Sequence, residues 1–182
     1  MTYRFLFLGL ATTALMGCAG IGQDPSATAE LKPTAGSSVT GKVLFVQHKH
    51  GMVKVSGQVS GLKPNSEHGF HIHEKGDCSS ADGSSAGGHF NPSNTAHGRH
   101  GQGTQHAGDL PSLRSNASGM AIVQYETAQI SLKDSRSSTD QEKTSNNIAG
   151  RALIVHADPD DFTSQPTGNA GARLACAVIQ SN

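Results

Sequence analysis

The stretch GFHIHEKGDC, residues 69–78, alternates apolar residues with histidines and ends in a cysteine. Side chains on a β-strand point alternately to its two faces, so Phe70 and Ile72 share one face and His71 and His73 share the other. The first face is typical of a core, while the second carries two imidazoles roughly 6–7 Å apart along the strand. Two ligands of one metal ion would fit this spacing, and so would a surface strand with incidental histidines.

The rest of the chain predicts an all-β domain. Short β-type segments alternate with stretches rich in Gly, Pro, Asn and Ser, and no helical periodicity runs for any length. The predicted strands are residues 39–47, 52–59, 70–74, 120–125, 130–132, 151–156 and 174–180. A hairpin turn is expected at residues 48–51, between the first two strands. Short strands without crossover helices indicate an antiparallel β-sandwich or barrel.

The first 38 residues predict export rather than a part of the fold. Residues 1–17 combine a short basic segment with an apolar run too short to span a bilayer, which is typical of a signal peptide. The run ends in LMGC, which resembles a bacterial lipobox with Cys18 as the lipidated residue; an ordinary signal-peptidase site nearby is the alternative. Residues 18–38 are rich in Ala, Ser, Thr, Gly and Pro and predict a disordered tether, so the folded domain is expected over residues 39–182.

Composition and cysteine count bear on location and partners. The 182-residue chain has 14 Lys+Arg and 14 Asp+Glu, so its net charge is zero and nothing predicts binding to nucleic acid. Three cysteines are an odd number for an exported protein; if Cys18 carries lipid, Cys78 and Cys176 remain as one pair, and export would allow a disulfide between them. We therefore expect a periplasmic or surface lipoprotein of a bacterial cell envelope, attached to membrane through the anchor at Cys18 only.

A long glycine-rich segment, residues 76–113, concentrates residues that bind metals. It is too polar to pack as sheet, and a compact domain rarely keeps so long a structureless loop. Within 21 residues it contains His89, His97, His100, His106 and Asp109. Three imidazoles and a carboxylate make a tetrahedral zinc set, and nitrogen and oxygen donors also suit copper. A bound metal would offset the entropy of ordering this loop, whereas a polar loop that happens to be rich in histidine is the alternative.

Several motifs, in order along the chain, resemble those of the bacterial exported copper,zinc superoxide dismutases. The motifs are GFHIHEKGDC from Gly69, GGHFNP from Gly87, HGQGTQHAGDLP from His100, GRALIVHADPDD from Gly150 and GNAGARLACAVI from Gly168. The resemblance implies a Greek-key antiparallel β-sandwich or barrel with long metal-binding and electrostatic loops. It also implies an enzyme that disproportionates superoxide to oxygen and hydrogen peroxide by cycling copper between Cu(II) and Cu(I), with zinc structural, and that protects the cell envelope.

The resemblance further implies a role for each site residue. The implied copper ligands are His71, His73, His89 and His156. The implied zinc ligands are His89, His97, His106 and Asp109, so that His89 bridges the two metals and can deliver a proton. Arg173 is implied to guide the superoxide anion to copper, and Asp160 to link ligands of the two metals. Cys78 and Cys176 match the disulfide within the subunit.

Other interpretations stay open from the sequence alone. A protein that only sequesters or delivers copper or zinc would keep the ligands but would have no use for Arg173. A structural domain in which zinc only fastens the loop would not explain why His71 and His73 face away from Phe70 and Ile72. His68 is expected to be a packing residue and His100 a surface imidazole. A homodimer is compatible with the sequence, and residues 133–147 are interpreted as a solvated polar excursion.

Overall fold

The computed structural model describes Met1 and residues 24–132 and 146–182. The strands are β1 (Ser26–Pro33), β2 (Thr40–Gln47), β3 (Val53–Ser60), β4 (Glu67–His68), β5 (Phe70–His73), β6 (Leu113–Arg114), β7 (Ala121–Thr127), β8 (Ala152–His156), β9 (Arg173–Val178) and β10 (Gln180–Ser181). Single turns of 3-10 helix lie at Lys49–Gly51 and Ser84–Ala86. Within these described ranges, no helix has the length and apolar character needed to cross a bilayer. The predicted signal peptide, Cys18 and nearly all of the excursion at 133–147 lie outside them.

One curled antiparallel sheet contains most of the strands. Its order is β5-β8-β9-β1-β2-β3-β7, with β10 paired to the start of β1, while β4 and β6 form a small separate ladder. β1, β2 and β3 are neighbours in sequence and in space, and β9 returns after a long connection to lie beside β1. This is a Greek-key order, so the predicted all-β antiparallel architecture is confirmed.

The core lies on the inner face of the curled sheet and follows the period of two expected for strands. In β2, Val43 and Phe45 are fully buried, while Leu44 between them is 36% exposed. In β5, Phe70 and Ile72 belong to this apolar core, as predicted. The opposite face of β5 is buried too, because loops cover His71 and His73.

The predicted disordered tether is wrong for residues 26–33, which form β1 in the middle of the sheet. Ala27, Ala29 and Leu31 are buried, and the residues between them are more exposed. Just before β1, the Pro25 carbonyl accepts a hydrogen bond from the Gln47 backbone at 2.8 Å. Small side chains gave this segment the composition of a linker, although its alternation is that of a strand. The folded domain therefore begins well before residue 39.

Most other predicted strands are found, with shifted ends. The turn at residues 48–51 is confirmed, since the 3-10 turn there joins the antiparallel pair β2 and β3. The predicted strand at 130–132 is wrong: as far as the described residues show, this segment forms a single bridge, between Ser131 and Asn147. The two-residue strands β4 and β6 were not predicted, because so short a ladder leaves no periodicity in the sequence.

Two long loops cover the outer face of β5 and β8. The first long loop, residues 74–112, joins β5 to β6, and the second long loop, residues 157–172, joins β8 to β9. A disulfide between Cys78 and Cys176 ties the first loop to β9, with 5.8 Å between the Cα atoms. The disulfide implied by the resemblance is therefore present, and it closes a segment with a sequence separation of 98 residues.

Candidate metal centre

The covered face of β5 carries the first cluster of metal-ligand residues. β5 contributes His71 and His73, the end of the neighbouring strand β8 contributes His156, and the first long loop contributes His89. A backbone bridge between His73 and His89 brings the loop against the strand. One nitrogen from each of the four rings lies within 4.8 Å of the others, and all four residues are buried. We call this the four-histidine cluster.

A second cluster lies inside the first long loop and shares one residue with the first. Its members are His89, His97, His106 and Asp109, again with ligand atoms within 4.8 Å of one another and all buried. We call it the histidine–aspartate cluster. An isolated bridge between His71 and Asp109 places this part of the loop directly over β5. The fold thus brings together the seven residues that were predicted to bind the two metals, and His89 belongs to both clusters.

Hydrogen bonds fix which nitrogen of each ring points into the four-histidine cluster. His71 Nε2 donates to Asp160 Oδ2 at 2.7 Å, His73 Nδ1 to the Gly87 carbonyl at 2.9 Å, and His156 Nδ1 to a backbone carbonyl at 3.3 Å. Because an oxygen acceptor requires a ring N–H, the other nitrogen of each neutral ring carries a lone pair. These lone pairs converge: His73 Nε2 lies 3.4 Å from His156 Nε2.

Two inward nitrogens of this cluster are orphaned. His71 Nδ1 and His89 Nε2 are buried and have no hydrogen-bond partner. Buried polar atoms are nearly always paired in native proteins, so such atoms call for a partner that is not an amino acid. A metal ion bound by neutral imidazoles would satisfy both nitrogens.

The histidine–aspartate cluster has the dimensions of a tetrahedral site. Asp109 Oδ2 accepts backbone hydrogen bonds from Gly98 and His106, which leaves Oδ1 facing the rings. His89 Nδ1 lies 2.9 Å and His106 Nδ1 3.3 Å from Oδ1, and His97 Nδ1 lies 3.0 Å from Oδ2. Zinc–nitrogen bonds of 2.0–2.1 Å separate tetrahedral ligands by about 3.3 Å, which these contacts approach. Moreover, the close Nδ1 atoms of His97 and His106 lack hydrogen-bond geometry and are orphaned.

Asp160 contacts one histidine from each cluster. Its Oδ2 accepts from His71 Nε2, and its Oδ1 accepts from His97 Nε2 at 2.9 Å and from the Phe162 backbone at 2.7 Å. Burial raises the pKa of this carboxyl, but the hydrogen bonds from His71 and His97 outweigh burial and hold the pKa well below its usual range. The group is therefore an anion that orients both rings. Its neighbours Asp158 and Asp161 are exposed and make no such contacts.

Burial keeps three of the cluster imidazoles in the neutral form that binds metals. It lowers the pKa of His89 to about 4 and that of His156 to about 3, and it lowers the pKa of His73 further still. His97 behaves differently: burial lowers its pKa, but the carboxylates of Asp109 and Asp160, at 3.0 and 2.9 Å from its two ring nitrogens, outweigh burial and raise the pKa to about 9. In the metal-free protein His97 therefore takes up a proton where a cation would otherwise bind.

Arg173 lies at the start of β9, opposite His156 across the β8–β9 ladder. Its guanidinium donates to the carbonyls of Gly83 and Gly87, both at 2.6 Å, and the Gly87 carbonyl also accepts from His73. Its positive charge contributes to the lowered pKa of His73 and His156, after the larger effect of burial. The loop thus holds a permanent cation beside the four-histidine cluster.

Three polar residues outside the clusters support them. His68 is buried and bonds to the His156 carbonyl at 2.9 Å, in agreement with its predicted packing role. His100 is not the surface imidazole that was predicted: it is half-buried, and its Nδ1 donates to the Asp109 carbonyl at 2.7 Å. Gln165 contacts His97 and was not singled out in the sequence. Bonds to backbone atoms depend on how the loops fold, so no residue pattern reveals them.

The donor sets fit two different metals that share one imidazole. Three imidazoles and a carboxylate in a closed tetrahedral arrangement suit zinc. Four imidazoles without a carboxylate suit copper, for which imidazole is a common ligand. The observation that supports this fit is that both clusters contain orphaned nitrogens. They are His71 Nδ1 and His89 Nε2 in the four-histidine cluster, and Nδ1 of His97 and His106 in the histidine–aspartate cluster.

Comparison with known proteins agrees with this fit. A family model described as Copper/zinc superoxide dismutase (SODC) matches residues 39–179. The protein named Superoxide dismutase [Cu-Zn] 2 from Aquifex aeolicus (strain VF5) is 38% identical over 171 residues, which cover 94% of this chain and 96% of that protein. The Superoxide dismutase [Cu-Zn] of Paramecium bursaria Chlorella virus 1 is 43% identical over 148 residues, which cover 78% and 72%.

Solved structures give the same result for the fold. The crystal structure of the clock protein EA4 aligns with a TM-score of 0.74 and 35% identity over 88% of this chain and 97% of that one. A double mutant of a SOD-like protein from Bacillus subtilis aligns with a TM-score of 0.73 and 35% identity over 84% and 96%. With the family model matching most of the folded domain and relatives aligned over nearly its whole length, this chain belongs to the copper/zinc superoxide dismutase family.

Proposed function

We propose that this protein is a superoxide dismutase that converts two superoxide anions to oxygen and hydrogen peroxide. The observation that carries the proposal is His89, whose Nδ1 lies in the histidine–aspartate cluster and whose Nε2 is an orphaned buried atom aimed at the four-histidine cluster. A ring in this position connects two metal sites. Bound copper would supply the one-electron couple that the reaction needs, since zinc has no redox chemistry.

The donor atoms assign the metals. His71 Nδ1, together with Nε2 of His73, His89 and His156, would hold copper. Nδ1 of His89, His97 and His106, together with Asp109 Oδ1, would hold zinc. The zinc site is closed by protein ligands on all sides, which is typical of a structural site. Its role would be to fix the first long loop and the orientation of the His89 ring.

Arg173 and His89 would serve the substrate. Superoxide is a monoanion, and the Arg173 guanidinium is a fixed cation beside the four-histidine cluster, where it would attract and orient the anion. Formation of peroxide consumes protons. His89 Nε2 can hold either the ion or a proton, and would donate the proton, while the contacts of Nδ1 with Asp109 keep the ring in place.

Metal loading and a single ligand replacement test this proposal. The loaded protein should contain one copper and one zinc per chain and should remove superoxide rapidly in a stopped-flow assay. His156→Ala should lose copper and activity but keep zinc, whereas His50→Ala, in the exposed β2–β3 turn, should change neither. Full activity in the His156→Ala variant would contradict the copper assignment, and a loaded protein without activity would indicate a metal-binding protein instead.

We place this activity at the bacterial cell envelope, on a lipoprotein anchored at Cys18. The signal-like residues 1–17 and the lipobox-like LMGC support export, and a disulfide is typical of an oxidising compartment. The full-length protein should fractionate with membranes and carry the mass of a lipid, while Cys18→Ser should be released as a soluble protein. A soluble wild-type protein of unmodified mass would overturn the anchor. Light scattering of the loaded protein tests the homodimer, which remains a prediction.

A further inference from the structure

The two long loops meet along a small set of contacts, which we call the loop seam. On the first loop the seam includes His97 and Arg99, and on the second it includes Asp160, Phe162 and Gln165. The His97 ring donates to Asp160, and the Arg99 guanidinium stacks over the Phe162 ring at 3.6 Å from its centre. These residues lie more than sixty positions apart in the sequence, so the seam is a tertiary link between the loops.

Gln165 makes the most specific contact of the seam. Its Oε1 accepts a hydrogen bond from the His97 backbone N–H at 2.8 Å, and its Nε2 donates to the His97 carbonyl at 3.0 Å. One side-chain amide is thus paired with both backbone groups of one residue. This arrangement also fixes the orientation of the amide, because a flipped group would oppose donor to donor and acceptor to acceptor. Nε2 makes a further contact with the Thr163 carbonyl at 3.2 Å, which holds the side chain against its own loop.

His97 is held by the second loop at its ring as well as at its backbone. Asp160 accepts from Nε2 of the ring, and Gly168 lies directly against this hydrogen bond: a Cβ added at Gly168 would clash with Asp160 Oδ1 and His97 Nε2. The remaining ring nitrogen, Nδ1, is orphaned and points into the histidine–aspartate cluster. With its backbone and Nε2 both fixed, His97 has little freedom to turn Nδ1 away.

We propose that Gln165 is a positioning residue for the zinc site. It holds the His97 backbone so that Nδ1 is aimed at the ion before the ion binds, and it thereby makes zinc affinity depend on the second loop. The first loop is rich in glycine around His97, with Gly98 directly after it, so the loop itself supplies little rigidity. Prior ordering of a ligand raises affinity, because less entropy is lost on binding. The inference rests on the proposed function, in which His97 is a zinc ligand.

Gln165→Met tests the proposal, because methionine keeps the length of the side chain and removes both hydrogen bonds. Gln102→Met is the matched control, since Gln102 lies in the first loop with an exposed side chain. Zinc affinity is measured on the copper-loaded full chain by competition with a chelator. We expect Gln165→Met to lower it by about 10–100-fold, the range seen when a residue that orients a metal ligand is removed, and Gln102→Met to leave it unchanged. Cobalt bound in place of zinc should show shifted visible absorption bands in Gln165→Met alone.

The outcomes separate this inference from the proposed function. If the wild-type chain binds no zinc, both fail. If wild type binds zinc and Gln165→Met binds it within twofold, the positioning role is overturned and the proposed function stands. A Gln165→Met protein that unfolds at a lower urea concentration yet keeps its zinc affinity also overturns the positioning role, because a merely structural role for Gln165 would give that result.

A measurement on wild type keeps the inference testable if the variant does not fold. In the protein loaded with Cu(I) and Zn(II), the His97 amide hydrogen is bonded to Gln165 and should exchange with solvent at least about tenfold more slowly than the amide of Gly103, an exposed residue of the same loop whose N–H donates to no group in the described part of the chain. Equal exchange rates for the two amides would overturn the proposed bond and the role built on it.

Discussion

Phe45 in β2 and His97 in the first long loop are both almost completely buried, yet their surroundings differ in chemistry. Phe45 lies among apolar side chains of the sheet, where the area removed from water supplies the stabilisation. His97 lies against Asp109 and Asp160, where a buried polar group costs free energy unless each of its atoms has a partner. The curled sheet can therefore fold on its apolar content, whereas the loops depend on a disulfide, on hydrogen bonds and on metals. Four experiments test this contrast, from the largest expected effect to the smallest.

Removal of the disulfide should have the largest effect on stability. Cys78→Ser with Cys176→Ser opens a segment with a separation of 98 residues, and the chain-entropy model gives a loss of about 4–5 kcal/mol in unfolding free energy. Urea unfolding of the metal-free protein, with and without the two replacements, measures it. A loss below about 1 kcal/mol would mean that the loops do not depend on this cross-link.

The stability of the curled sheet should respond to the size of its apolar side chains. Phe45→Ala removes a fully buried ring and should lower the unfolding free energy by about 3–5 kcal/mol. Leu44→Ala, one residue earlier and on the exposed face of β2, should cost less than about 1 kcal/mol. Urea unfolding compares the two variants. Similar losses for both would contradict the alternation of buried and exposed positions in this strand.

The metal-free protein should be most stable near pH 6.5. Below this pH the unfolded chain binds more protons, because His89 and His156 have folded-state pKa values of about 4 and 3, so stability falls as the solution is acidified. Above it, His97 with its pKa of about 9 loses the proton that stabilises the folded state, so stability also falls as pH rises towards 9. We expect each of these two histidines to change the stability by about 2–3 kcal/mol between pH 6.5 and 4.

Urea unfolding at several pH values measures this profile. The metal-loaded protein is the control, because its imidazoles are held as ligands and its stability should vary little between pH 6.5 and 9. A metal-free profile that stays flat from pH 4 to 9 would contradict the assignment of these buried histidines.

Asp160→Asn should have the smallest of the four effects. An amide has one oxygen, so it can accept from His71 or from His97 but not from both, and one ring loses its orienting partner. Zinc affinity should fall by about 10–100-fold, measured by chelator competition. Asp161→Asn is the matched control, since its exposed carboxylate contacts only residues of its own loop. Equal affinities in the two variants would remove Asp160 from the site.

The alternating pattern in β5 was sufficient to predict which of its residues lie in the core and which face the loops. The same alternation in β1 was overlooked, because Ala27 and Ala29 bury little area and resemble a linker in composition. Asp158, Asp160 and Asp161 all lie close to His156 in the sequence, so their positions alone do not tell which carboxylate contacts the metal ligands. The fold shows that Asp160 reaches both clusters.

Contacts with the backbone were beyond prediction for a different reason. Gln165 and His100 bind backbone groups of other residues, and every residue presents the same backbone donor and acceptor. Their partners are decided by the path of two irregular loops, which leaves no period in the sequence.

If Cys18 is lipidated as proposed, the position of β1 limits how far the enzyme can be from the lipid bilayer. Once the proposed acyl groups are attached at Cys18, only seven residues, 19–25, precede Ser26 at the start of β1. Even fully stretched, seven residues reach at most about 25 Å. The end of the curled sheet that holds Pro25 and the end of β2 would then be confined near the lipid headgroups. Such a protein would react with superoxide formed at the membrane surface rather than with superoxide throughout the compartment.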